Sequence, residues 1–266
     1  LTAVLVLTVF PILYSLLGSL KSNQEFLLSG TNIFPKKISF ENYIMAWYKA
    51  DFKTYLWNSV YMTFFVVMGT LLNSTMAGYV FARGKFPFKN MIFAVLVSTM
   101  FISLGSFTLF AIVKIAKALY LNTTLWGVII VKLFGLNIAN IFLVKGYVNS
   151  LPMEIDEAAK MDGCSFFRIY WNIILPLLKP IVATVGILSF QQTWNDYLLP
   201  MVFTLANPKQ APLIVGIVSL KSSGEAVGAW NLMLAGTNIS IVPLIIVFLI
   251  LNRYFISGLT TGSVKG

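Results

Sequence analysis

Six apolar runs of about 20 residues each dominate this chain of 266 residues. A helix rises about 1.5 Å per residue, so each run is long enough to cross the roughly 30 Å hydrocarbon core of a bilayer. The runs predict an all-α, polytopic membrane protein with six transmembrane helices and a single domain, residues 1–266. The predicted spans are residues 1–20, 56–82, 91–113, 123–144, 173–200 and 232–251.

The composition excludes several classes of function. Only 11% of the residues are charged, against roughly 25% in an average soluble domain. The chain has one cysteine, Cys164, and no histidine, so the usual thiol-and-imidazole metal-ligand sets and a disulfide framework are excluded. Asp196 is the only carboxylate within the apolar runs, which leaves no acid–base pair for an enzyme. The net charge of +10 comes from scattered cations, which suit anionic lipid headgroups rather than a nucleic acid.

The topology follows from the number of spans. An even number places both termini on the same side of the membrane. The density of Lys and Arg favours the inner side for the termini and for the segments around Arg83 and Lys145, although the margin is small. The chain begins at Leu1 without an initiator methionine, so a short preceding segment is expected, and the first run is interpreted as a retained helix.

A charged segment between the fourth and fifth spans predicts a short surface helix over residues 150–163. Ser150 is the expected cap, Pro152 fits the first turn, and Gly163 supplies the stop. Three acidic residues near its start suit the positive end of the helix dipole. Ala158 and Ala159 are expected to leave a shallow face that another protein can approach closely.

This segment also carries a spaced pattern: Glu157-Ala158-Ala159, three residues, Gly163, nine residues, Ile173, one residue, Leu175-Pro176. The pattern resembles the cytoplasmic signature of binding-protein-dependent ABC importer permeases. In that family the loop, here residues 150–172, contains a coupling helix that inserts into a cleft of a separate ATPase subunit. The resemblance implies four docking residues: Glu157, Ala158, Ala159 and Gly163.

Three further segments narrow the resemblance to the carbohydrate-uptake permeases, particularly those equivalent to the smaller permease subunit of the maltose importer. They are Tyr79-Val80-Phe81-Ala82-Arg83, the stretch from Ser189-Phe190 to Trp194-Asn195-Asp196-Tyr197, and the ending 258–266. The resemblance implies a second, non-identical permease subunit, two ABC ATPase subunits and an extracytoplasmic sugar-binding protein. It also implies a bacterial cytoplasmic membrane, with both termini in the cytoplasm.

The energy source is expected on another polypeptide. The chain contains no Gly-x-x-x-x-Gly-Lys-Ser/Thr loop, so ATP with Mg²⁺ is expected on the partner ATPase. No cofactor is expected to bind to this chain. An ion-coupled secondary transporter is the competing class, and it would show matching halves with broken helices and buried carboxylates. An ABC permease for a non-sugar solute also stays open.

Aromatic and amide side chains on the fifth span are candidates for the substrate path. Aromatic faces beside amides suit a sugar, whose hydroxyls need donors and acceptors. An interfacial aromatic belt and interhelical hydrogen bonding are the alternatives. The candidates on this span are Phe190, Gln192, Trp194, Asn195, Asp196 and Tyr197.

Lys132 and Asn137 on the fourth span are further candidates for the substrate path. Lys132 lies roughly 14 Å below the outer end of the span by the helical rise, where it cannot face lipid cheaply. Pairing with Asp196, snorkelling and attraction of an acidic sugar are three open explanations. On the outer loop, Asn207, Lys209 and Gln210 match the position at which the maltose-type subunit reaches into its binding protein. The resemblance implies this contact by position alone, with no motif behind it.

Overall fold

The computed structural model describes residues 2–28, 32–48, 51–102, 106–220 and 230–263. Those residues form helices and no β-strand, which confirms the predicted all-α class. Short 3₁₀ turns occur at Thr99–Phe101 and Pro208–Gln210, and a π-helical turn occurs at Tyr170–Ile174. The α-helices in chain order are α1 (Thr2–Ser19), α2 (Asn23–Leu28), α3 (Glu41–Tyr48), α4 (Phe52–Arg83), α5 (Lys89–Ser98), α6 (Ser106–Ala118), α7 (Leu125–Phe134), α8 (Ile138–Ser150), α9 (Glu154–Met161), α10 (Phe166–Ile169), α11 (Leu175–Leu177), α12 (Lys179–Trp194), α13 (Leu198–Thr204), α14 (Leu213–Ser219) and α15 (Trp230–Ser263).

The chain divides into two compact units. The first comprises Leu1–Met62, Asn122–Leu125 and Trp194–Ile246. The second comprises Thr63–Leu121, Trp126–Thr193 and Val247–Gly266. The pattern predicted to dock on an ATPase therefore belongs wholly to the second unit, whereas the predicted substrate-path residues are divided between the two.

In the first unit, buried amide side chains hold α3 against the neighbouring chain. Asn42 donates from Nδ2 to the carbonyl oxygens of Ser19 at 2.6 Å and Lys21 at 2.8 Å. Asn231, at the start of α15, donates to Asn42 Oδ1 at 2.7 Å. Because a buried amide costs free energy unless it is hydrogen-bonded, these contacts fix α3 to the end of α1 and the start of α15.

Among the described residues, two helices are long and apolar enough to cross a membrane on their own: α4 and the Trp230–Leu251 part of α15. Two bent pairs reach that length if each is one span: α7 with α8, bent by 43°, and Phe166–Leu177 with α12, bent by 80°. Leu7–Ser19 and Lys89–Phe101 are shorter apolar helices. These helices overlap the six predicted runs in order along the chain.

Parts of three predictions fall outside the described residues, and the first is residue 1 of the predicted first span. Residues 103–105, inside the predicted third span, are among them. So are residues 264–266, the end of the segment that resembles the tail of the carbohydrate-uptake permeases.

The run predicted as the fifth span, 173–200, is not one continuous helix. A π-helical turn leads into α11, and α12 begins only after a turn at Leu178. Pro176 and Pro180 explain the interruption, because each lacks a backbone N–H and its ring crowds the preceding turn. The prediction of one helix over residues 173–200 was therefore wrong.

The same run is interrupted again at its far end. The helix ends at Trp194, and Asn195, Asp196 and Tyr197 lie between α12 and α13. Asn and Asp side chains compete for backbone hydrogen bonds, which favours a helix end at this point. Phe190 and Trp194 therefore lie on α12, whereas Tyr197 lies beyond its end.

Close packing in the second unit positions the segment that follows α8. A Cβ atom on Gly78 of α4 would lie 2.5 Å from Val144 Cγ1 and 3.1 Å from the backbone nitrogen of Lys145. Only a glycine permits α4 and α8 to approach this closely. Helix α4 therefore packs closely against the middle of α8, from which the chain continues into α9.

Candidate functional site

The predicted surface helix is present as α9, but it begins later than the sequence pattern indicates. The Ser150 hydroxyl donates to the carbonyl oxygen of Tyr147 at 2.7 Å, in the last turn of α8. Helix α9 begins at Glu154, after Met153, whose side chain makes no capping hydrogen bond. The prediction of a Ser150 cap with Pro152 in the first turn was wrong. Three acidic residues in the first turn instead complement the helix dipole.

The end of α9 agrees with the sequence pattern. Gly163 has a φ of 78°, a left-handed conformation that favours glycine. Its N–H donates to the carbonyl oxygen of Lys160 at 3.0 Å, and the N–H of Cys164 donates to that of Ala159 at 3.0 Å. These two bonds form a Schellman motif, which satisfies the last carbonyl groups of the helix. Gly163 is therefore the stop that its position predicted.

The four central residues of α9 point in different directions. Glu157 and Ala158 are exposed, whereas Asp156 is 1% exposed and Ala159 is 4% exposed. Successive residues of a helix are about 100° apart, so adjacent alanines need not share a surface. The predicted face of two exposed alanines is thus wrong: Ala158 is available to a partner, and Ala159 packs into the core of the second unit.

Asp156 is the buried anchor of α9. Its Oδ1 accepts a hydrogen bond from the Tyr79 hydroxyl at 3.0 Å. Its Oδ2 lies 3.1 Å from Arg83 Nε as an ion pair. Arg83 Nη2 also donates to the carbonyl oxygen of Leu151 at 2.7 Å, just before α9. Sequence reasoning missed Asp156, although Tyr79 and Arg83, four residues apart on one face of α4, were a signal that a polar partner lies opposite.

Aromatic packing extends this anchor to the chain beyond α9. The Tyr79 ring stacks on Phe166 with centroids 4.6 Å apart, and it lies 5.6 Å from the Tyr170 ring. The Tyr170 hydroxyl lies 2.8 Å from Thr75 Oγ1, so these two groups share a hydrogen bond. The last turns of α4 therefore hold both α9 and the segment that follows it.

The predicted fourth span is broken beside Lys132, between α7 and α8. Asn73 donates to the carbonyl oxygen of Leu133 at 2.6 Å, which satisfies an acceptor left by the end of α7. The Asn137 side chain accepts from the backbone N–H of Asn140 at 3.2 Å and caps α8. Non-helical backbone at membrane depth requires such partners. Lys132 is half-buried in the last turn of α7.

Two side-chain hydrogen bonds join this break to α12. Asn137 Nδ2 donates to Gln192 Oε1 at 3.1 Å, and Asn140 Nδ2 donates to Ser189 Oγ at 3.1 Å. Asn140 and Ser189 are buried, whereas Gln192 is exposed and Asn137 is half-buried. The structure thus brings together two of the residues predicted for the substrate path, Asn137 and Gln192.

Phe190 lies beside an apolar groove of about 530 Å³ in the second unit. The groove's one charged lining residue is Lys179, at the first position of α12. The remaining lining residues are Val67, Leu71, Val182, Ala183, Gly186, Val247 and Leu251.

The other predicted substrate-path residues belong to the first unit. Trp194 is 4% exposed, and its Nε1 donates to the carbonyl oxygen of Ser240 at 3.0 Å. Little of the Trp194 ring is therefore exposed to stack on a sugar, in contrast to the stacking surface that the sequence suggested. Asn195 is exposed, and Asp196 and Tyr197 are half-buried. The ion pair between Lys132 and Asp196 stays a prediction.

The three predicted binding-protein contacts differ in exposure. Asn207 and Lys209 are exposed. Gln210 is half-buried, and its Oε1 accepts from the backbone N–H of Leu125 at 3.0 Å, at the start of α7. Asn58 donates to the carbonyl oxygen of Lys209 at 2.8 Å and holds this turn in place. The side-chain oxygen of Gln210 thus has a structural role, which leaves Asn207 and Lys209 as the more accessible pair.

The chain resembles several transport-system permease proteins along nearly its whole length. The arabinooligosaccharides transport system permease protein AraQ of Bacillus subtilis is 35% identical over 98% of this chain and 92% of that protein. From the same organism, the galactooligosaccharides transport system permease protein GanQ is 33% identical over 98% and 92%. The melibiose/raffinose/stachyose import permease protein MelC is 32% identical over 96% and 91%.

A solved structure has the same fold. It is described as the crystal structure of a bacterial ABC transporter involved in the import of the acidic polysaccharide alginate. One of its chains matches with a TM-score of 0.79 and 24% identity, over 96% of this chain and 93% of that chain. At that level of identity the likeness shows the fold of an ABC importer permease.

A family model matches residues 74–261, a range that includes the Glu157 pattern and α12. The model is described as the binding-protein-dependent transport system inner membrane component. A multi-pass inner-membrane location agrees with the long apolar helices. The chain therefore belongs to the inner-membrane permeases of binding-protein-dependent ABC transport systems, as the Glu157 pattern predicted.

Proposed function

We propose that this chain is one permease subunit of an ATP-driven importer that moves an oligosaccharide across the bacterial cytoplasmic membrane. Its relatives AraQ, GanQ and MelC are named for the transport of arabinooligosaccharides, galactooligosaccharides and melibiose, raffinose or stachyose. The resemblance of the stretch 189–197 to the carbohydrate-uptake permeases agrees with those names. The whole chain forms six spans, with both termini and α9 in the cytoplasm.

The exposed part of α9 carries this proposal. Glu157 and Ala158 face outward while Asp156 and Ala159 fasten the helix from behind. A partner can therefore bind the exposed side of α9 without displacing the core that supports the helix. In the proposal this partner is one of two ABC ATPase subunits, which bind ATP and Mg²⁺. Glu157 and Ala158 make the direct contacts, whereas Ala159 and Gly163 give the helix its packing and its end.

The importer contains further partners. A second, non-identical permease subunit completes the path across the membrane, and an extracytoplasmic sugar-binding protein delivers the substrate. Asn207 and Lys209 are the exposed residues that contact this binding protein. Nucleotide and loaded binding protein shift the importer between inward-facing and outward-facing states, because each binds one state more tightly than the other.

The substrate path in this subunit runs past the amides at the helix breaks. Asn137 and Gln192 form a hydrogen-bonded pair with exposed edges, which suits sugar hydroxyls. Phe190 is a further candidate in the second unit. In the first unit, Asn195, Asp196 and Tyr197 are the candidates for sugar contact, and Trp194 is buried beside them in the chain. Lys132 is the residue through which an acidic sugar would be attracted.

Uptake by the assembled importer tests this proposal. The chain is reconstituted into liposomes with its partner permease, ATPase subunits and binding protein, and labelled solutes are supplied outside. We expect ATP-dependent accumulation of a neutral oligosaccharide such as raffinose or an arabinooligosaccharide, and no accumulation of an amino acid. An acidic oligosaccharide is tested in parallel. Accumulation of an amino acid alone would overturn the sugar assignment, and accumulation by this chain without ATPase subunits would overturn the ABC mechanism.

A further inference from the structure

One face of α4 holds the whole region around α9. Thr75, Tyr79 and Arg83 are four residues apart, so they form a single stripe along the helix. Tyr79 and Arg83 bind Asp156, and Thr75 shares a hydrogen bond with Tyr170. Helix α4 contains 32 residues and is long and apolar enough to cross the membrane. A membrane-spanning helix is thus attached directly to the helix that bears the docking residues.

The attachment at Asp156 resists deformation. Asp156 Oδ1 accepts the hydrogen bond from Tyr79, and Oδ2 forms an ion pair with Arg83 Nε that is not aligned as a hydrogen bond. The Asp156 and Arg83 side chains are 2% and 9% exposed. Arg83 also donates to the backbone carbonyl of Leu151. The same residue therefore holds both the Asp156 side chain and the segment that leads into α9. A buried charge that loses its partner is strongly disfavoured, so α9 cannot shift away from α4 without a large cost.

From this geometry we infer that Tyr79, Arg83 and Asp156 form a clamp that makes α9 and α4 move as one body. The inference rests on the proposed function and assigns a role to the Tyr79–Arg83 motif. When a docked ATPase displaces α9, the clamp transmits the displacement to α4; without the clamp, α9 moves alone. Tyr79 and Arg83 are therefore positioning residues for coupling, since they act on transport through Asp156.

Removal of the Tyr79 hydroxyl group by a conservative substitution tests the clamp. Tyr79→Phe keeps the ring that stacks on Phe166 and removes only the hydrogen bond to Asp156. The complete importer is reconstituted, and the oligosaccharide accumulated per ATP hydrolysed is measured. We expect this ratio to fall by about fivefold or more while ATP hydrolysis continues. Tyr170→Phe is the matched control, because it removes a buried hydroxyl that bonds Thr75 rather than α9, and it should keep the wild-type ratio.

A second variant tests the clamp independently, in case Tyr79→Phe impairs assembly of the importer. Asp156→Asn retains the size of the side chain and removes the charge that pairs with Arg83. It should lower the same ratio in the complexes that assemble. If both variants lose only yield or thermal stability, and the assembled complexes transport a normal amount of sugar per ATP, the clamp has a structural role alone and the inference is wrong.

The wild-type measurement separates this inference from the proposed function. A wild-type importer that accumulates no oligosaccharide with ATP contradicts the proposed function. If the wild-type importer accumulates oligosaccharide with ATP and the clamp variants accumulate the same amount per ATP hydrolysed, only the inference is contradicted.

Discussion

Replacement of Glu157 by lysine is expected to abolish most sugar uptake while the chain still folds. Glu157 is exposed on α9, so the folded chain loses little from the change. The less favourable interaction with the helix dipole costs about 0.3–1 kcal/mol. In the proposed importer, however, the reversed charge would lie in the contact with the ATPase, where a wrongly placed charge costs several kcal/mol. Uptake should therefore fall by about 30-fold or more, a difference of about 2 kcal/mol.

The control for this variant comes from the same helix. Glu154→Lys makes the same charge reversal in the first turn of α9, at another exposed acidic residue that the docking pattern does not include. It should retain most of the uptake, and ATPase subunits should co-purify with it but not with Glu157→Lys. Equal uptake by wild type and Glu157→Lys would show that Glu157 takes no part in docking.

Replacement of Gln192 by leucine is the second large effect that we expect. Leucine has a similar size but cannot accept the hydrogen bond from Asn137 Nδ2 or bind a sugar hydroxyl. The exposed position of Gln192 means that the variant should fold. Loss of about one hydrogen bond, together with an amide left without its partner, corresponds to about tenfold weaker uptake, seen as a higher half-saturating sugar concentration.

The neighbouring amide supplies the comparison for Gln192. Gln191→Leu changes an exposed amide of the same helix that points about 100° away from Gln192. Uptake by Gln191→Leu should stay within about twofold of wild type, which is the range of a surface substitution. A tenfold loss with both variants, or with neither, would contradict a specific place for Gln192 in the substrate path.

The sequence correctly predicted those features of the fold that depend on residues close together in the chain. The length of the apolar runs predicted the all-α membrane class, and the spacing from Glu157 to Pro176 predicted the family. Gly163 was predicted as a helix stop because a left-handed residue after a helix strongly favours glycine. The helical class and the helix stop depend on residues within a few turns of chain, whereas the family was predicted from a resemblance.

Contacts between distant segments could not be predicted in the same way. Asp156 is 73 residues from Arg83, and only the folded chain shows that its carboxylate turns inward while Glu157 beside it turns outward. The same limit explains Ala159, which packs against the core of the second unit. Ser150 was mistaken for a cap because its hydroxyl bonds backward to Tyr147, an alternative that the sequence permits equally.

A cysteine crosslink from the exposed side of α9 tests the central claim that this helix docks on a separate ATPase. Cys164 is the chain's one cysteine, so a Cys164→Ala background leaves an introduced thiol as the sole reactive site. Ala158→Cys is then treated with a short thiol–thiol reagent in the assembled importer, and Ala159→Cys, at a buried position, is the control. We predict a crosslink from position 158 to the ATPase subunit and none from position 159. A fully active importer in which position 158 never reaches the ATPase would contradict the account.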